Sequence, residues 1–288
     1  MVADLDRARY VSRRVKQLIE PIGAAPFAST SSFEAAAELG IDDPLVAYVA
    51  FRSAPLGVVG PTLVGSVFGP FNSSVIESAV RAIQARTPLE HLLTGRDEGA
   101  AATLTSVLGE PDSAAIDEAV ALLDRAASAL PVVGRAMFAA RRDLIPSVDP
   151  WTALWRACDE IREHRGDSHT ISWAASGLDA VEVNLLTAAW VGMPFELRTS
   201  LMGFDQHAND AGLDRVRQRG LLDGDELTEL GQATRDQLEG SIDAQQIQLA
   251  DTISDIDLTT IEDILGPWGT ALIDAGAYPA PPESVFPI

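Results

Sequence analysis

The sequence predicts an all-α protein with a small β-hairpin wing, and three observations lead to this fold class. Apolar residues recur at three- and four-residue spacing along most of the 288 residues, as in helices with one buried face. Asp and Pro residues stand at the starts of several of these stretches, where they cap or begin helices. Only residues 221–231 have a strand pattern, because the Asp-Gly-Asp sequence at 223–225 supplies a hairpin turn.

Seven helices are predicted before residue 145. They cover residues 4–20, 33–39, 42–51, 62–68, 73–86, 113–130 and 135–144. Residues 52–72 are apolar, but Gly and Pro interrupt them too often for one continuous helix. Residues 94–112 contain three glycines and one proline, and this composition predicts a looser segment.

A central helix is predicted to begin at Asp149, which can cap it, with Pro150 at its first position. Its apolar face includes Trp151, Trp155 and Cys158, at helical spacing. Gly166 is predicted to end this helix, because glycine is the usual residue just after a helix.

The second half of the chain is also predicted to be helical outside the hairpin. Its helices cover residues 178–191, 193–204, 206–219, 232–252 and 257–276, and a proline-rich tail begins at residue 279. We therefore divide the chain into four parts. They are an N-terminal helical domain (1–145), a central helix with a site segment (146–177), a winged-helix-like domain (178–276) and a tail (277–288).

The composition is strongly acidic, with 42 acidic and 21 basic residues and a net charge of −21. Such a charge disfavours nucleic acid as a partner, since duplex binding requires Lys and Arg to neutralise phosphates. No apolar run approaches the ~18 residues of a membrane span, so no membrane association is expected. The first residues lack a signal-peptide pattern, and the lone Cys158 fits a reducing compartment. We therefore expect a cytoplasmic protein.

The run from Arg162 to His169 is the densest group of ionisable residues near predicted buried tryptophans. Three hypotheses compete for it. The first is structural, with charges that pair at a helix end. The second is a metal site, including haem iron, held by His164 or His169. These two histidines would point about 140° apart on one continuous helix, so they converge only if Gly166 ends it.

The third hypothesis is a small-molecule site in which His164 or His169 transfers protons and Arg165 neutralises an anionic group. Glu160 precedes His164 by four residues and could orient its imidazole. Trp155, together with the irregular apolar segment of residues 52–72, could wall a pocket. From that segment, the predicted ligand contacts are Arg52, Phe71 and Asn72. No residue pattern in the sequence names a cofactor.

The second half resembles the winged helix-turn-helix of MarR-type regulators, on the element order after residue 178 and the wing at 220–231. The whole chain, over about residues 7–275, resembles an actinobacterial family known as the SCO-type or SalK-like helix-turn-helix family. That likeness is carried by residues 52–60, 71–72, 154–155, 162–169 and 220–231. The resemblance implies a helix-turn-helix fold and, by the family's name, DNA binding.

The residues of the winged unit argue against that DNA-binding role. The helix in the recognition position begins with Asp205 and Asp210, and the wing carries several more acidic residues. We therefore predict a protein of specialised metabolism that binds, and as a further hypothesis transforms, a small anionic or aromatic molecule. The winged unit would then serve as a scaffold or as the interface of a homodimer. The alternative is a MarR-like DNA-binding regulator, which needs one basic face built from Arg7, Arg13, Arg14, Arg215, Arg217 and Arg219.

Overall fold

The computed structural model describes residues 4–279, and it confirms the predicted fold class. This part of the chain forms fifteen α-helices, two short 3-10 turns and one two-stranded antiparallel hairpin. Helices α1 to α8 are Leu5–Ala24, Thr30–Glu38, Pro44–Ser53, Pro61–Val67, Ser73–Gln84, Leu89–Leu108, Ser113–Ala129 and Ala136–Arg142.

Helix α9 (Pro150–Ala175) is the longest helix of the described chain, and α1, α6, α7, α8 and α13 pack against it. The Asp149 carboxylate accepts a hydrogen bond from the Thr152 amide at 2.7 Å and caps its first turn, as predicted. The predicted end at Gly166 is wrong. Gly166 keeps a helical backbone, and the left-handed glycine that follows the helix is Gly177, with φ of +72°.

Residues 94–112 were expected to be loose, but most of them belong to the continuous helix α6. Its glycines permit close packing between helices. A Cβ atom on Gly99 would lie 2.7 Å from the Ser32 hydroxyl oxygen, and one on Gly95 would lie 3.1 Å from a Leu39 methyl group. The glycines are thus required by the contact of α6 with its neighbours and do not break the helix.

The second half continues with α10 (Ala180–Val191), α11 (Phe195–Leu201), α12 (Gln206–Gln218), β1 (Leu222–Asp223), β2 (Glu226–Leu227), α13 (Glu229–Ala244), α14 (Ile247–Thr252) and α15 (Asp255–Asp274). The single helix predicted for 232–252 is therefore two helices. At the break, the Gln246 side chain turns into the core and bonds His164 Nδ1 at 3.0 Å and Ser168 Oγ at 3.2 Å.

Two apolar cores organise the described residues. The first is formed by helices α1 to α8 and by the first half of α9, down to Ile161. Leu249 of α14 and Leu265 of α15 also belong to it, so the last two helices pack with the N-terminal part. The second core is formed by α10 to α13 and the hairpin, around Leu185 and Leu186. The second half of α9 runs between the two cores.

Within residues 4–279, none of the helices combines the length and apolar character that a membrane crossing requires. Residues 280–288 of the predicted tail lie outside the described residues.

Candidate ligand-binding site

A cavity of about 390 Å³ lies where the second half of α9 faces helices α10, α11 and α13. Its other walls come from α1, α3 and the turn between α4 and α5. The volume falls within the range of about 300–1,000 Å³ that is common for small-molecule sites. The two cores therefore meet around a hollow that is large enough for a ligand.

The cavity is basic, although the protein as a whole has a net charge of −21. Three carboxylates line it, from Glu20, Glu163 and Glu239. The basic side chains that line it are Lys16, Arg52, Arg162, Arg165, Arg198 and Arg235. Charges of one sign concentrated in a low-dielectric hollow raise the local potential and attract ligands of the opposite sign.

Helix α9 contributes one continuous face to this cavity. Five of its residues follow the i, i+3, i+4, i+7, i+8 pattern, which keeps them on the same side of the helix. They are Arg162, Arg165, Gly166, His169 and Thr170. The missing side chain at Gly166 leaves space, since a Cβ there would meet only a Glu163 oxygen at 3.6 Å.

Arg52 and Glu163 form a buried, two-pronged ion pair on the floor of the cavity, with N–O distances of 2.8 and 2.9 Å. The Arg52 guanidinium also lies over the Phe68 ring, 4.7 Å from its centre. Burial tends to lower the pKa of Arg52, but the Glu163 carboxylate outweighs burial and raises that pKa above its usual value. Arg52 is therefore committed to a carboxylate of the protein.

Arg198 of α11 is held differently. Its Nε donates to Asn184 Oδ1 at 2.9 Å, and within residues 4–279 it forms no ion pair with a carboxylate. Burial, followed by repulsion from Arg235, lowers the pKa of Arg198. A guanidinium stays protonated near neutral pH nonetheless, so its charge faces the cavity without a protein carboxylate to neutralise it.

Neutral His169 and cationic Lys16 line the cavity together with Arg198. Burial, followed by the charge of Arg235, lowers the pKa of His169 to about 3, so its imidazole is neutral near pH 7. It makes no hydrogen bond to another residue of the described chain. Burial and then Arg165 lower the pKa of Lys16 to about 8, with Glu20 and Glu239 acting in the opposite direction.

Four of the eight predicted site residues line this cavity: Arg52, Phe71, Arg165 and His169. The structure does not bring His164 to it. His164 is fully buried, its ring lies edge-on to Phe138 at 4.9 Å, and its Nδ1 bonds Gln246. The two histidines diverge because α9 continues through Gly166, so a site that uses both rings together is not formed.

The other three predicted residues also have partners elsewhere. Glu160 accepts a hydrogen bond from Arg142 at 2.9 Å, so it does not orient the His164 imidazole as expected. Trp155 lies in the first core and donates its indole N–H to the Gly23 carbonyl at 3.1 Å.

Asn72 caps α5, and its amide donates to the Gly203 carbonyl at 3.0 Å. That bond ties the turn before α5 to the turn after α11, at one side of the cavity.

Several lining residues escaped the sequence analysis, and two of them carried a signal in the sequence. Lys16 is the only lysine of the chain, and Arg235 is the only basic residue after residue 220. Arg235 is thus an isolated cation in an acidic stretch, which indicates a specific partner. Tyr48, Trp190 and Arg198 carry no comparable signal, since their positions in helices α3, α10 and α11 are those of ordinary amphipathic residues.

Within the described part of the chain, His, Cys, Asp and Glu side chains form no group of three or more that could hold a metal ion. Cys158 is buried, and burial raises the pKa of its thiol well above the usual value, which favours a structural role.

The arginines expected to form a DNA-binding face are paired differently from those of the cavity. A DNA-binding face was expected to need six arginines, and each of the six pairs with a carboxylate of the protein. The pairs are Arg7–Asp255, Arg13–Asp243, Arg14–Glu262, Arg215–Asp179, Arg217–Asp225 and Arg219–Glu182. To bind phosphates, these arginines would first have to leave their carboxylate partners.

The order α10–α11–α12–β1–β2–α13 places the two-stranded hairpin between α12 and α13, where the sequence predicts the wing. The profile of the Helix-turn-helix family matches residues 12–279, which is most of the chain. The protein belongs to this family. Comparisons with curated proteins and with solved structures each returned no match. The matched range includes the residues that line the cavity as well as helices α10 to α13 and the hairpin.

Proposed function

We propose that this Helix-turn-helix protein binds a small anionic molecule in the cavity between α9 and helices α10, α11 and α13. The observation that carries the proposal is Arg198, a guanidinium in a ligand-sized cavity that forms no ion pair with a carboxylate within residues 4–279. An incompletely compensated cation costs stability, so retaining one in a cavity is readily explained if an anion occupies the site.

Five residues that line the cavity have separate roles in this proposal. Arg198 donates two hydrogen bonds from its terminal nitrogens, and Lys16 adds a second positive charge while it is protonated. His169, neutral near pH 7, accepts or donates a hydrogen bond. Arg165 and Arg52 hold the surrounding carboxylates in place.

We also propose that this protein is SalK-like and that its residues 178–276 form a MarR-like winged helix. The likeness to the SalK-like family and to the MarR winged helix is supported by the residue runs that carry the resemblance in the sequence and by the order of elements. A role in specialised metabolism, a cytoplasmic location and a homodimer formed through the winged unit belong to the same proposal. The ion pairs of the winged-helix arginines favour a scaffold over a DNA reader.

Isothermal titration tests the proposal with simple anions as probes: acetate, benzoate and inorganic phosphate. We expect at least one of them to bind the full chain, and Arg198→Gln to weaken its affinity by about 10- to 100-fold, the value of a charge-assisted hydrogen bond. The matched control is Arg217→Gln, which removes an equal charge from the surface of α12. Absence of binding by all three anions, or equal binding by both variants, would contradict the proposal.

A mobility-shift assay at low salt, with DNA from the upstream region of the protein's own gene, tests the regulator alternative. We expect no retarded complex. Specific, salt-sensitive retardation would instead identify a DNA-binding regulator.

A further inference from the structure

We infer that the ligand is an aromatic monocarboxylate, with its carboxylate on Arg198 and its ring against Trp190 and Tyr48. This inference rests on the proposed function, and it adds the charge and the shape of the ligand. Three features of the cavity carry it: the number of uncompensated cations, the kind of anion they can bind, and the nature of the remaining wall.

Of the five arginines that line the cavity, only Arg198 lacks a carboxylate partner within residues 4–279. Arg52 pairs with Glu163, Arg162 with Glu20, and both Arg165 and Arg235 with Glu239. Arg198 has no such partner within the described chain, and Lys16 lies in the field of Glu20 and Glu239. Only Arg198 is therefore fully available, and a di- or triphosphate would need several such groups.

The geometry of Arg198 suits a carboxylate. Its Nε is already bonded to Asn184, so both terminal nitrogens are left to form the fork that binds two carboxylate oxygens. Asn184 is itself fixed, because its amide donates to the Pro70 carbonyl at 2.7 Å and to the Ala180 carbonyl at 2.8 Å. The guanidinium is thus held in place before a ligand arrives, which reduces the entropy cost of binding.

The lining lacks the usual backbone device for phosphate. Phosphate groups are commonly bound by free N–H groups at the start of a helix or in a glycine-rich loop. None of the described lining residues is among the first three residues of a helix, and α4 and α10 reach the cavity with their C-terminal ends. The negative ends of these helix dipoles disfavour a highly charged ligand.

The rest of the wall is aromatic and apolar. Tyr48 stacks on Phe71, with ring centres 5.5 Å apart and planes inclined by 27°. The Trp190 ring is held from one side by Arg235, whose guanidinium lies 4.4 Å from the ring centre. The Tyr48 hydroxyl makes no hydrogen bond within residues 4–279, so it can bond a polar substituent of the ligand.

Titration of the full chain with a graded series of probes tests this inference. The series is acetate, cyclohexanecarboxylate, benzoate and 2-naphthoate, with 2-naphthamide as the uncharged analogue and pyrophosphate as the highly charged one. We expect 2-naphthoate to bind about 100-fold more tightly than acetate, through burial of its rings. The affinity for benzoate should exceed that for cyclohexanecarboxylate by about three- to tenfold, because benzoate has an aromatic ring. The uncharged 2-naphthamide should bind at least about tenfold more weakly than 2-naphthoate.

Substitutions in the aromatic wall test where the ring of the ligand binds. Trp190→Leu and Tyr48→Leu should each weaken 2-naphthoate binding by about tenfold and weaken acetate binding much less. The matched control is Tyr10→Leu, since Tyr10 is a half-exposed tyrosine of α1 away from the cavity. The conservative Trp190→Phe variant keeps an aromatic wall and should retain binding, which guards against a folding defect in the leucine variant.

The outcomes separate the two claims. Tighter binding of acetate or pyrophosphate than of 2-naphthoate would overturn the inference and leave the proposed function standing. Equal binding of 2-naphthoate and 2-naphthamide would also overturn it, since charge would then be irrelevant. If none of the charged probes binds, the proposed function itself fails.

Discussion

The cavity and helix α12 both carry several arginines, but the two regions use them differently. On α12, each of Arg215, Arg217 and Arg219 pairs with a carboxylate and remains about two-fifths exposed, at 42%, 41% and 40%. In the cavity, the arginines are largely buried, and Arg198 has no carboxylate partner within the described chain. The number of cations in a region therefore says little about ligand binding, whereas burial and pairing say much more.

The largest expected effect is a loss of stability when a buried ion pair is broken, compared with an exposed one. Glu163 accepts hydrogen bonds from Arg52, Arg141 and Arg162, so Glu163→Gln leaves three buried guanidiniums without that charge. We expect a loss of about 3–5 kcal/mol in the free energy of unfolding, measured with urea. The control is Asp225→Asn, which removes the exposed partner of Arg217 and should cost less than about 0.5 kcal/mol. Similar losses for both would show that burial does not distinguish these pairs.

A smaller effect is expected from pH. The pKa of Lys16 is about 8 in the folded protein, because burial disfavours its charged form. Its positive charge is present below that value and is lost above it, so affinity for benzoate should fall as pH rises from 7 to 9.5. The expected decrease is about three- to tenfold, the effect of one nearby charge.

Lys16→Met should remove this pH dependence, while Arg9→Met, on the exposed face of the same helix, should keep it. Benzoate affinity that stays constant over this pH range in the unmodified protein would exclude Lys16 from the site.

The smallest effect concerns the middle of α9. Gly166 lies inside a continuous helix, and a Cβ there meets no atom closer than 3.6 Å. Gly166→Ala should therefore stabilise the protein by about 0.5–1 kcal/mol, the difference in helix propensity. Gly99→Ala is the contrasting variant, because its Cβ would lie 2.7 Å from the Ser32 hydroxyl oxygen, and it should destabilise by about 1–3 kcal/mol. If Gly166→Ala lowered the stability instead, the helical, uncrowded environment described for Gly166 would be contradicted.

The sequence by itself determined the helical fold class, the hairpin and most helix starts. Asp149 and Asp205 cap the helices that follow them, and these local effects depend only on neighbouring residues. Helix ends that depend on packing were not predictable, because Gly166 and Gly99 look like breaks until the neighbouring helices are known. The division of 232–252 into two helices likewise depends on Gln246 reaching His164, 82 residues away.

Only the tertiary structure decided which ionisable residues meet. The sequence singled out Arg52, Phe71, Arg165 and His169, and these line the cavity, but it grouped them with His164, which the continuous helix turns away. Arg198 and Lys16 come from helices separated by most of the chain, and no local pattern connects them. Local spacing sets which face of a helix a residue occupies, whereas the packing of distant helices sets what that face meets.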